Sequence, residues 1–293
     1  FLFFHLLSCL RNLLEQKSRL LPNHKHVEVA KMNVMFYLLA VAIGVVTGGI
    51  TSLIGASGVM VIVPVLTMFF HVSAHSAIGT SLFVDVIASI TVSYTYFKNG
   101  NIEIKSGLWM AVSSIAGAQL GALFSSQIKE GPLSAMFGII LVIAGIGLLI
   151  KSYKKKGEEK EPKAKFTKGW QQIVSSIIIG IGIGILSGLF GAGGGVMILL
   201  ALIVIMSYPL HKAIGTSTLI MAMTALSSTI GYAYRGNIDL ILGCFLSIGA
   251  VIGGILGSRY ANRVNEKALQ KVVGVCFMCL GVVMTVMEVI KLK

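Results

Sequence analysis

The sequence predicts an all-α, polytopic membrane protein made of two homologous halves, and three observations predict it. The first is composition: 55% of residues are hydrophobic and 12% charged, with a mean hydropathy of +0.88, whereas soluble domains average about 25% charged. The second is the number of long apolar runs, several of which reach the roughly 20 residues needed to cross a bilayer. They are too many for a signal peptide or a single anchor. The third is an internal repeat at a constant offset of 136 residues. His75 falls on His211, Ala77-Ile78-Gly79-Thr80-Ser81 on Ala213-Ile214-Gly215-Thr216-Ser217, Gly100-Asn101-Ile102 on Gly236-Asn237-Ile238, and Gly117 and Gly121 on Gly253 and Gly257. Chance likeness between apolar runs does not hold one register through polar and glycine positions so far apart. The chain is read as a duplication.

Residues 1–31 carry Arg11, Lys17, Arg19, Lys25 and Lys31 and open on an apolar run too short to span. They are expected to be a basic tail, and Met32 opens a stretch that looks like a natural start, which leaves the tail's place in the native protein open. The first membrane repeat is assigned to 32–150, with apolar segments at about Val34–Ile54, Val59–Phe70, Ala77–Phe97, Gly107–Ser125 and Leu133–Ile150. A charged linker, 151–170, rich in lysine, is read as a solvated connector. The second repeat, 171–293, has segments at Ile173–Phe190, Val196–Met206, Ala213–Tyr234, Leu240–Tyr260 and Leu269–Ile290. At about 1.5 Å per residue the two short segments cover about 18 Å of a roughly 30 Å core. They are expected to be re-entrant, which predicts about eight crossings plus two half-helices.

The net charge of +13 would suggest nucleic acid in a soluble chain, but here the basic residues fall in tails and connections, where topology and anionic lipid account for them. Four crossings per half put the N-terminus, Lys98, Lys105, the linker, Arg235, Lys291 and Lys293 on one side. That side is expected to be cytoplasmic, with both termini, and the two halves are expected to be related by an axis normal to the membrane. Arg259, Arg263 and Lys267 fall on the other side in this scheme. Of the four cysteines, Cys276 and Cys279 form a C-x-x-C inside an apolar helical run and read as small core residues, so neither a disulfide framework nor a metal site is predicted.

The second repeat contains Gly191-Ala192-Gly193-Gly194-Gly195 and the first contains Gly55-Ala56-Ser57-Gly58. Such stretches break a helix, and in hydrocarbon an unpaired backbone group costs several kcal/mol. A break is therefore kept only where it is packed by protein or lines a wet cavity. A half-helix restarting after it aims free N–H groups and a positive dipole end at that place, which favours an anion. Close packing of small residues is the other open reading. Hydroxyls of Ser57, Thr80, Ser81, Thr216 and Ser217 would add neutral donors, or else bond back to their own helices. Asp85 lies near the centre of its segment opposite Met221 in the repeat, and is a candidate proton or sodium coupler. His75 and His211 are candidates for pH sensing or for helix capping.

This pattern of GASG and GAGGG breaks, Pro64, two AIGTS motifs and two G-N-I motifs resembles the TauE/SafE family of membrane anion transporters over about residues 34–290. The resemblance implies a multi-pass protein of the bacterial inner membrane that exports sulfite, sulfoacetate or related sulfur oxyanions and organosulfonates, with the two glycine elements at the substrate. Ser57 and Val59 stand where the second copy has Gly193 and Gly195, and Leu200 stands opposite Pro64, so the halves differ at the breaks. The alternatives are a metal-ion or small-cation carrier using Asp85, and a non-transport membrane assembly factor. No nucleophile, acid/base pair or metal cluster falls within the spans and no phosphate-binding loop motif occurs, so neither an enzyme, a cofactor nor an ATP-driven pump is expected. The expected partners are a small anion, the bilayer and a coupling proton or sodium ion.

Overall fold

A computed structural model describes residues 26–68, 70, 72–125, 130–153, 169–190 and 194–291. Among these there are ten helices and no strand: α1 (His26–Ile54), α2 (Val59–Met68), α3 (Ala74–Lys98), α4 (Ile104–Ser125), α5 (Glu130–Tyr153), α6 (Gly169–Phe190), α7 (Gly194–Val204), α8 (Leu210–Tyr234), α9 (Leu240–Arg263) and α10 (Glu266–Lys291). Among the described residues, four stretches are long and apolar enough to cross a membrane, namely Met35–Ile54, Ala74–Lys98, Leu210–Tyr234 and Leu240–Arg263. Their outward faces carry bare apolar side chains such as Leu38, Ile90, Ile230 and Leu256. That suits a surface solvated by lipid rather than water. Residues 1–25 and most of the linker lie outside the described residues.

Glycine stripes set the tightest helix pairs, because small residues let two backbones approach. Gly44 and Gly48 of α1 face the Leu246–Ala250 backbone of α9, and Gly257 of α9 faces Gly49 and Ser52. In the other half Gly180 and Gly184 of α6 face Met110 and Ser114 of α4, and Gly117 faces Ile181. Gly145 of α5 meets Gly274 of α10. Every one of these pairs joins a helix from one repeat to a helix from the other. The two repeats therefore interlock rather than form separate lobes.

The contacts also fix direction, and they correct the expected symmetry. Along α1 and α9 the contacting residue numbers rise together, as they do along α3 and α9, where Thr80 meets Asp239 and Val92 meets Gly254. These helices are parallel. By contrast Gly79, near the start of α3, faces Tyr232 and Asn237 at the end of α8, while Gly215 faces Tyr96 and Asn101. Likewise the Ser152 hydroxyl, at the end of α5, donates to the carbonyl of Lys267 at the start of α10. The repeat equivalents α3 and α8, and α5 and α10, are thus antiparallel. A two-fold axis exchanging them lies across the helices, not along them, so the repeats are inverted.

Two consequences follow for the chain path. Since α1 and α3 point the same way, Gly55–Gly58 and α2 together carry the chain back across the bundle, one extended and one helical portion in series. The charged groups also sort differently from the sequence expectation. Lys98, Lys105, Lys212, Arg259, Arg263 and Lys267 gather on the face where the linker leaves α5 and enters α6. Contacts hold that face together: Lys212 pairs with Glu103 at 3.6 Å, and the Gln172 side-chain amide donates to the Tyr208 hydroxyl at 3.0 Å. Arg235, the start of α1 and the end of α10 lie on the opposite face. The N-terminal end and the linker were expected on one side, and the inverted arrangement separates them.

Candidate substrate site at the broken helices

Each break is held by side chains from the long helices. Gly55 has φ +64°, the left-handed region that favours glycine, and turns the chain out of α1. Its carbonyl is 3.2 Å from the Ser217 hydroxyl, which also donates to Ile214 O at 2.9 Å. From there the chain descends to Ser57 and Gly58, level with the middle of α3. Gly58 N–H donates to Asp85 Oδ1 at 2.9 Å, the Ser57 hydroxyl donates to the other carboxylate oxygen, and Val59 N–H donates to Ser57 Oγ at 3.2 Å. A helix leaves its first N–H groups without partners inside the helix. At α2 they are met by the protein itself: a resident carboxylate occupies the place where an incoming anion would sit.

The second break ends differently. Gly191, Ala192 and Gly193 lie outside the described residues, but Gly194 and Gly195 open α7 and sit opposite the first break. A Cβ added to Gly195 would lie 2.6 Å from Met221 Sδ, 3.0 Å from Ser57 N and 3.4 Å from Ala56 Cα. Met221 is the repeat equivalent of Asp85, and its thioether is a weak acceptor that cannot hold two N–H groups as a carboxylate does. Among the described residues, the α7 N-terminus therefore presents its positive end without a carboxylate bonded to it.

The two breaks share a cavity of about 540 Å³ whose walls include Ser57, Asp85, Gly194, Gly195 and Met221. It runs along α2 and α8 past Thr224 and Ser228 toward Ile78 and Tyr232, that is, toward the face where α8 ends. Its inner end thus combines the start of α7, a hydroxyl and a carboxylate, and its walls are otherwise largely apolar.

A family model described as sulfite exporter TauE/SafE matches residues 40–284 of this chain. The chain belongs to the TauE/SafE family. It is 28% identical over 265 residues to the probable membrane transporter protein YunE of Bacillus subtilis, covering 84% of this chain and 96% of YunE. It is 27% identical over 236 residues to the probable membrane transporter protein YdhB of the same organism, covering 80% and 95%. A probable membrane transporter protein of Methanocaldococcus jannaschii is 27% identical over 260 residues, covering 83% and 94%. No solved structure matches the chain. A multi-pass membrane transporter of the TauE/SafE type is the identity these findings support.

Within this TauE/SafE chain the other sequence candidates are placed apart from the cavity. Thr80 Oγ1 accepts from Asp239 N–H at 2.9 Å, and Thr216 Oγ1 accepts from Glu103 N–H at 3.0 Å. These two bonds are repeat equivalents, and each threonine fastens the start of α9 or α4 across the junction between halves. Ser81 donates to Ile78 O at 2.8 Å within its own helix. His211 Nε2 lies 3.0 Å from Ala261 O and 3.2 Å from Val264 O, closing the end of α9, while His75 is exposed. The difference between the two glycine elements in the sequence has a counterpart here: Asp85 caps the first break, and its repeat equivalent beside the second is Met221. Sequence reading missed Met221 as a wall residue. Its signal was available as the apolar partner of an intramembrane aspartate.

Proposed function

We propose that this protein is a secondary transporter that exports small anions, sulfite, sulfoacetate or related sulfur oxyanions and organosulfonates, bound at the N-terminus of α7. The observation that carries the reading is the inequality of the two half-helix starts on one cavity: α2 is capped by Asp85 and Ser57, and α7 by nothing anionic among the described residues. Backbone donors and a dipole end hold an anion without a fixed cation so strong that it cannot leave. The family's description as sulfite exporters supports the substrate class.

In this reading α1, α3, α4 and α5 and their repeat equivalents make eight full crossings in the cell membrane, and each break with its half-helix makes one more, interrupted crossing in place of the re-entrant turn expected from the sequence, five per half. The excess of basic residues on the linker face marks that face as cytoplasmic. With inverted repeats this sets both termini outside, opposite to the sequence expectation, and the cavity then opens outward, as in the releasing state of an exporter.

The test is efflux of labelled sulfite from proteoliposomes. Gly195→Val fills the mouth of α7 and is expected to abolish efflux, while Gly49→Ala, on α1 beside open space and not on the cavity wall, retains it. Efflux by Gly195→Val at the wild-type rate overturns the proposed site.

A further inference from the structure

Asp85 is 2% exposed, and its recorded partners are the Ser57 hydroxyl and one backbone N–H. Buried charges are ordinarily paired or bound to a cation. Behind the carboxylate, on the side of α1 rather than of the cavity, lies a second set of oxygens. Asp85 Oδ1 and Thr51 Oγ1 stand 3.3 and 3.5 Å from the same point beside Gly58 Cα. Thr51 is 1% exposed, and its hydroxyl has no hydrogen-bond partner. Ser89 lies one helical turn beyond Asp85 on the face of α3 that meets α1, as Tyr96 shows by donating to Ser52 O at 3.0 Å. It too is fully buried with a partnerless hydroxyl. Two buried hydroxyls without a partner among the described residues, one beside the carboxylate and one a helical turn from it, are a cost that an ion sharing those oxygens removes.

The repeat sharpens this. The positions equivalent to Ser57, Asp85 and Ser89 are Gly193, Met221 and Ala225, whereas Thr51 has the hydroxyl residue Ser187 as its counterpart, so the carboxylate and two of the three hydroxyls belong to the first half only. The second half carries the equivalent long helices and half-helix without that carboxylate. Ligand type narrows the guest: oxygen donors with a single carboxylate suit a small, hard, singly charged ion, and among the described residues no group of three His, Cys, Asp or Glu gathers for a divalent metal.

We infer that Asp85, Thr51, Ser57 and Ser89 hold one Na⁺ ion between α1, α3 and the first break. Its positive charge neutralises the carboxylate that faces the substrate cavity, so filling the site lowers the repulsion an anion meets there, which couples the two. The coupling rests on the transport reading above; the ion site does not.

The test uses purified full-length protein in detergent without sulfite or any sulfonate. Thermal unfolding is followed in sodium, potassium and choline gluconate at constant ionic strength, with ²²Na⁺ retention measured on the same samples. A saturable rise in Tm with Na⁺ and not with choline, and Na⁺ retention lost in Asp85→Asn, are expected. Thr51→Val and Ser89→Ala should each raise the Na⁺ concentration at half-effect by about tenfold. Identical behaviour in sodium and choline overturns the proposal, as does stability that follows pH alone, which marks Asp85 as a proton carrier. Should Asp85→Asn fail to fold, the wild-type titration and Thr51→Val decide. Because no substrate is present, failed sulfite efflux leaves this result standing, and failed Na⁺ binding leaves the anion site standing.

Discussion

Placing a second carboxylate at residue 221 tests the inequality of the two breaks. Met221 Sδ packs against Gly195, so in Met221→Asp the new carboxylate reaches the first N–H groups of α7 as Asp85 reaches that of Gly58. A carboxylate at a helix start is worth about 0.3–2 kcal/mol, which offsets part of the cost of burying it. Toward an anion the effect has the opposite sign. Two unit charges about 4 Å apart at an effective dielectric of about 20 repel by about 4 kcal/mol. At about 1.4 kcal/mol per decade this is close to a thousandfold in affinity. The assay is labelled sulfite efflux from proteoliposomes, with circular dichroism and gel filtration to verify folding, and Met221→Asn as the neutral control. Folded Met221→Asp with efflux reduced at least a hundredfold, and Met221→Asn within about tenfold of wild type, are expected. Wild-type efflux by Met221→Asp would refute the reasoning, since no anion could then be using the α7 start.

Other outcomes follow from the same contacts. Thr80→Val and Thr216→Val each remove the acceptor of a partly buried N–H at the junction between halves, which should lower stability by about 0.5–1.5 kcal/mol in denaturant or thermal melts while efflux per folded molecule stays within about twofold. Gly48→Leu forces α1 away from the Ala250 backbone and should cost more than about 3 kcal/mol, read as loss of monodisperse protein, whereas Gly49→Leu, beside open space, should not. Single cysteines replacing Lys105 and Arg235 should label with an impermeant maleimide from opposite sides of the membrane. Labelling of both from one side would contradict the inverted arrangement.

Much of this architecture is written in the chain. The short segments expected at Val59–Phe70 and Val196–Met206 appear as Val59–Met68 and Gly194–Val204, because glycine breaks and a change from apolar to turn residues are local signals. Asp85 was legible as an intramembrane acid, and its capping partners Ser57 and Gly58 were legible as a break. Direction was not. Hydropathy has no sign along a helix, so Gly79 meeting Tyr232 and Gly215 meeting Tyr96 had no counterpart in composition. The basic tail at 1–31 then drew the charge argument toward placing N-terminus and linker together. Thr80 and Thr216 illustrate a further limit: a repeated hydroxyl in a helix near a break suits a ligand as well as a clasp, and their bonds to the Asp239 and Glu103 amides, 159 and 113 residues away along the chain, have no signal in the local sequence.

The most direct measurement is a structure of the full chain with selenite, an isostere of sulfite whose selenium is located by anomalous scattering. The account predicts one site at the inner end of the cavity, with selenite oxygens within about 3.2 Å of the first amide nitrogens of α7 and Asp85 still on Gly58. Selenium against the α2 start with Asp85 displaced, or no selenium in the cavity of a protein that transports sulfite, would contradict it.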